Sequence, residues 1–81
     1  MEITQKHVIS GIIMPHSWDE NGTVVQIALY TDKEEVFHVE ENRLTQVLMN
    51  LVQKQVEVKG KIQKRADGSP SIAVQNYRVL E

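Results

Sequence analysis

The sequence predicts a mainly β domain, a five-stranded Greek-key barrel with one α-helix between the third and fourth strands. Three observations carry this. Apolar residues alternate with period two over most of the chain. The period changes once, between residues 44 and 52, to that of a helix. A glycine, Gly11, interrupts an otherwise apolar first segment. Period two is the spacing of a strand with one buried face, and i, i+3, i+4 that of a helix with one buried stripe. At 81 residues the chain has room for one domain, spanning 1–81, and no more.

Residues 7–14 form the first strand. Both alternating sets are apolar: Val8, Ile12 and Met14 on one side, Ile9 and Ile13 on the other. That pattern belongs to a strand buried on both faces or passing from one sheet to another. Glycine within a strand marks a bulge or a barrel corner, so Gly11 predicts a long bent strand that pairs in two directions. Residues 15–22 read as a loop, because Pro15 cannot donate to a ladder and Asn21-Gly22 is a turn signal. Residues 23–31 alternate again, with Val25, Ile27 and Leu29 on the buried side and Val24, Gln26, Ala28 and Tyr30 opposite. After the turn Asp32-Lys33-Glu34, residues 35–39 return as a third strand with Phe37 and Val39 inward.

Leu44, Val47, Leu48, Leu51 and Val52 make one apolar stripe, which predicts a helix over 42–54. Asn42 is its N-cap candidate. Glu40 and Glu41 lie at the positive end of the helix dipole and Lys54 near the negative end. Such a helix is long enough to cover one opening of a small barrel. Period two resumes with Val56, Val58 and Ile62 inward, Gly60 among them, and Glu57, Lys59 and Lys61 outward. Residues 66–70 form a loop with Asp67-Gly68 turn chemistry, and residues 72–77 a fifth strand with Ile72 and Val74 inward.

Composition narrows the function classes. Cysteine is absent, which excludes disulfides, thiolate zinc sites and a cysteine nucleophile. Hydrophobic content of 41% and charged content of 25% are those of an ordinary folded domain rather than a disordered one. Residues 1–7 lack the basic start and apolar run of a secretory leader, and no stretch approaches the roughly 20 apolar residues of a membrane span. The expected location is therefore cytoplasmic, with no membrane partner. The net charge of −2 hides a polarity: residues 19–41 sum to −6 and residues 54–65 to +4. A nucleic-acid binder usually presents a basic excess, and here only the second segment supplies one.

The order of three strands, one helix and two strands, with a glycine in the middle of strand one, resembles the OB-fold. The stretch Val56-Glu57-Val58-Lys59-Gly60-Lys61-Ile62, then Asp67-Gly68, then Ile72-Ala73-Val74-Gln75-Asn76-Tyr77 is similar to the last hairpin of stand-alone and anticodon-binding-type OB domains. The resemblance covers nearly the whole chain and rests on element order and glycine placement. A β-grasp or another small β-roll with one helix is the competing arrangement.

OB domains usually hold their ligand across strands two and three, flanked by the 1–2 and 4–5 loops. The resemblance therefore implies a face made by Gln26, Ala28 and Tyr30 from strand two and Val36 and His38 from strand three. Trp18 stands in the first loop, and Lys64 and Arg65 in the last. Trp18, Tyr30 and His38 are the stacking candidates, a face aromatic and a loop aromatic sandwiching a base or a sugar. Lys64 and Arg65 are the phosphate candidates. Plainer readings compete with these. Trp18 also suits a plug for one barrel end, and Tyr30 and His38 suit ordinary surface packing. Lys59, Lys61, Lys64 and Arg65 also suit solubilising charges that discourage edge pairing. The acids Asp19, Glu20, Asp32, Glu34 and Glu35 would oppose a phosphate chain near the first loop and the 2–3 turn.

No catalytic or metal constellation emerges. His7, His16 and His38 sit in three different elements with no helical i, i+4 pair, and the serines lack a nucleophile-elbow context. The four glycines are dispersed, so no phosphate-cradling loop exists. No enzyme activity and no cofactor are expected. Two functions remain: a binding module for single-stranded DNA or RNA, or a protein-interaction module, including a homo-oligomer, with no nucleic-acid activity. The second would use an outward apolar patch of Val24, Ala28, Tyr30 and Val36.

Overall fold

One strand closes the barrel. β1 (His7–Trp18) pairs antiparallel with β4 (Gln55–Lys64) over His7 to Ile12, and antiparallel with β2 (Val24–Thr31) over Gly11 to Trp18. The two ladders overlap at Gly11 and Ile12, so the strand turns there from one neighbour to the other. This computed structural model describes residues 6–80; residues 1–5, which entered the expectation about location, lie outside the described residues.

β3 (Val36–Val39) pairs antiparallel with β2 and parallel with β5 (Pro70–Val79) through His38–Ser71 and Val39–Ile72. β4 and β5 form the long closing hairpin. The order β1-β2-β3-β5-β4 is a closed barrel, mainly β, with one helix between β3 and β4. It is consistent with an OB-like barrel, and it removes the open-sheet arrangements.

Closure depends on two glycines. A β-carbon on Gly11 would run into the carbonyl of Tyr30, and one on Gly60 into the carbonyl of Ala73. At Gly60 the β4–β5 ladder also shifts register by one residue. Both glycines are buried where a backbone crosses closely, the use a barrel corner makes of glycine.

The core is Ile13, Ile27, Leu29, Phe37, Leu48, Val56, Val58, Ile72 and Val74. Val39 and Ile62 pack against it, so the inward sets expected for β3, β4 and β5 hold.

Three expectations are corrected. First, β1 runs on through the segment expected to be a loop. Both backbone groups of Ile13 point to the side of β4, accepting from the Gln53 amide at 2.6 Å and donating to the Lys54 carbonyl at 3.2 Å. By the period of two, the nitrogen of Pro15 points the same way, beyond the start of β4, so the proline forfeits no bond to β2.

Second, Val25 is 46% exposed rather than core. Pro15 faces Ile27, Ser17 faces Gln26, and Trp18 faces Val24. His16 is thus an extra residue on β1 and Val25 an extra residue on β2. The bulge at Val25 reverses the alternation and sends Val24, not Val25, against the core.

Third, the helix is short: α1 covers Thr45–Met49, not 42–54. The chain continues in tight turns, with Asn50, Leu51 and Lys54 amides donating to carbonyls three residues back, and Gln53 reverses it at φ 71. β-branched Thr45, Val47 and Val52 are weak helix formers. The stripe is nonetheless real, because Leu48 is fully buried and Leu44, Met49, Leu51 and Val52 pack against the core; only Val47 stays 38% exposed. Asn42 ties this lid to the barrel. Its Oδ1 accepts from the Leu44 amide at 2.8 Å, and its Nδ2 donates to the Val74 carbonyl at 2.9 Å.

Candidate functional site

The outer face of β1, β2 and β3 carries most of the residues singled out from the sequence. Along β2, Gln26, Ala28 and Tyr30 share the side that faces away from Ile27 and Leu29. Ser17 of β1 joins them, its Oγ donating to Gln26 Oε1 at 2.9 Å. Trp18 ends β1 opposite Val24 and is 54% exposed, so it does not plug the barrel. Tyr30 is 43% exposed, between Ile12 on β1 and Val36 on β3.

Trp18 and Tyr30 do not meet. The partner of Trp18 is Val24, six residues along β2 from Tyr30, which at the rise of a strand is about 20 Å. A sandwich of one base between them is ruled out. Trp18 shares the inward side of its ladder partner Val24 at the mouth of the barrel, whereas Tyr30 stands on the outer side with Gln26.

The middle of the outer face holds an imidazole pair. His16 and His38 lie edge to face with ring centroids 4.4 Å apart and planes at 82°. They stand on the two strands that flank β2, so their contact crosses above it. The residue beneath is Ala28, the ladder partner of His38, which contributes only a methyl group and is fully buried. The bulge aims His16 at this point: an extra residue on β1 puts it on the same outer face as Ser17. Sequence reading missed this pairing, since a bulge is set by the partner strand and leaves no local mark beyond Pro15 before it.

The charge of Arg65, in the β4–β5 turn, is felt at His38. That turn is closed by the Arg65 amide donating to the Ser69 carbonyl at 2.8 Å and the Gly68 amide to the Arg65 carbonyl at 2.9 Å. Lys64 is exposed at the end of β4, opposite Pro70. Loss of hydration holds the His38 imidazole below its ordinary value, and the charges of His16 and Arg65 push the same way; Asp67 and Glu40 oppose them. The Asp67 carboxyl is itself held low by accepting from the Ser69 hydroxyl at 2.6 Å and the Ser69 amide at 3.0 Å.

Ser71 adds a polar group beside His38. It is the parallel ladder partner of His38, only 1% exposed, and its Oγ has no hydrogen-bond partner among the described residues.

The acids fall into different roles. Asp19 organises the β1–β2 loop, its Oδ1 accepting from the Asn21 and Thr23 amides at 2.9 Å each. Asp32 and Glu35 line a cavity of about 350 Å³ with Val8, Ile9, Phe37 and Ile62, between the start of β1 and the β2–β3 turn. Lys33 lines it too, so its rim carries two acids and one base, a net negative charge that disfavours a phosphate. Asp32 and Glu35 thus stand at this cavity rather than over His16 and His38.

The expected apolar patch is much reduced. Ala28 is buried, Val24 packs against the core, and Val36 is half-buried. Tyr30 remains, with Ile12 beside it at 43% exposure. Among the described residues no group of three or more metal-ligating side chains is placed to hold an ion, and no helix is long and apolar enough to cross a membrane. No known protein family, curated protein or solved structure matches this chain.

Proposed function

We propose that the chain is a non-enzymatic binding module of the OB type, whose β1–β3 outer face takes a single strand of DNA or RNA. One observation carries the reading: the only tryptophan, in a domain with little core to spare, is left 54% exposed at the end of β1, beside the rim of the outer face that carries Gln26, His38 and Tyr30. Large aromatics are normally well buried, and exposed aromatics with cations beside them suit successive bases stacking while phosphates run along the edge. Trp18, Tyr30 and His38 offer the stacking surfaces, Gln26 hydrogen bonds, and Lys64 and Arg65 the phosphate contacts. The parallel contact of β3 with β5 and the closed strand order support the OB assignment. Binding to mixed-sequence oligonucleotides across a salt titration tests it; no binding at low salt removes it.

A second reading, a protein-interaction or self-assembling module, is favoured by the exposed neighbours Ile12 and Tyr30 together with Val25. Sedimentation across a concentration series decides the self-assembly version, which a strict monomer at high concentration rejects.

A further inference from the structure

We infer that His16, His38 and Arg65 form a proton-gated phosphate subsite on the outer face, taking up a proton as it takes up a phosphodiester anion. The inference deepens the single-strand reading and rests on it for its natural ligand.

The geometry supplies the gate. Two imidazoles in edge-to-face contact at 4.4 Å suit the neutral state, in which a positive ring edge meets a negative ring face. One proton is tolerated, because an imidazolium over a neutral ring is a cation–π contact. A second proton on so close a pair, with the Arg65 guanidinium nearby, is opposed by like charge unless an anion enters. A phosphate provides that anion and accepts from the N–H groups it stabilises.

The groups facing His38 are His16 from β1, Arg65 and Asp67 from the β4–β5 turn, and Glu40 following β3. Their balance holds His38 below its ordinary value, so acidification adds its charge to that of the permanently cationic Arg65. Ser71, the ladder partner of His38, adds a buried hydroxyl with no hydrogen-bond partner among the described residues, a group able to donate or accept. Arg65, in the β4–β5 turn, is exposed, so an anion has access from solvent.

The test measures binding of an oligothymidylate carrying a pH-insensitive dye at pH 5.5 and 7.5, at constant ionic strength. The wild type is compared with His16→Gln/His38→Gln. In parallel, the His38 ring resonance of the wild type is titrated with and without sodium pyrophosphate, with the His7 resonance as reference. Uptake of one proton predicts about tenfold tighter binding at pH 5.5, loss of that difference in the double variant, and an upward move of the His38 midpoint with pyrophosphate. Equal binding at both pH values overturns the gate and leaves the single-strand reading standing. A midpoint that moves with pyrophosphate while no oligonucleotide binds supports the anion subsite and rejects the single-strand reading. No oligonucleotide binding and an unmoved midpoint overturn both.

Discussion

The carbonyl of Tyr30 fills the space that a β-carbon on Gly11 would need. This contact lets β1 pass closely across β2 where it changes partner, and it gives the most direct test of how the barrel closes.

Gly11→Ala cannot be absorbed by a side-chain rotation, because the obstacle is backbone. The expected cost is about 3 kcal/mol, at the upper end of overpacking, or a fall in Tm of roughly 10 °C or more for a domain of this size. Gly22→Ala is the comparison. Gly22 has φ 81 and nothing within 4 Å of the added atom, so the cost is about 1 kcal/mol, from backbone conformation alone. Thermal unfolding of the two variants checks the ranking, and a reversed order contradicts this account of closure.

Asn42 holds the lid through bonds in two directions. Asn42→Ala removes the bond from the Leu44 amide and the bond to the Val74 carbonyl, at about 1–2 kcal/mol. Urea unfolding measures it. Asn42→Asp keeps the first bond and loses the second, and should fall between the two.

Val25 and Ile27 separate the bulged strand from the regular one expected of the sequence. Val25→Ser, at an exposed bulge, should change stability by less than about 0.5 kcal/mol. Ile27→Ala, fully buried, should cost about 2–5 kcal/mol. A large loss at Val25 would restore the regular alternation.

The depressed His38 midpoint fixes a pH dependence of stability. The unfolded chain holds its proton up to the ordinary value of 6.5, and the folded chain releases it at lower pH. Between those values the unfolded state binds more protons, so stability falls as pH drops through that window and is flat above it. Asp67 acts lower: its stabilising contribution is present above the ordinary 3.8 and is lost as pH falls through its depressed value. Melting curves from pH 7.5 to 5 should show the first loss in the wild type and not in His38→Gln.

For the proposed single-strand face, Trp18→Ala and Tyr30→Ala should each weaken oligonucleotide binding by about 1–3 kcal/mol, with little effect on folding because both are exposed. Lys64→Ala with Arg65→Ala should instead flatten the salt dependence by about 1.4 in the log–log slope. Fluorescence anisotropy across a salt series distinguishes these effects. Unchanged binding in all three variants would move the ligand off this face.

Much of the barrel was legible in the chain itself. The alternation that buries Ile27, Leu29, Phe37, Val56, Val58, Ile72 and Val74 is a local pattern, and the strand count, the lid between β3 and β4, and the bend at Gly11 follow from it. Tertiary structure alone decided where that alternation breaks. The extra residues His16 and Val25 exist only relative to the strand opposite, and they turn Val25 outward and bring His16 to His38 across Ala28. The truncation of the helix is of the same kind, since the Gln53 amide is drawn to the Ile13 carbonyl. A residue's periodicity records which side of its own strand it occupies. Which side chain it meets depends on the register of a partner many residues away.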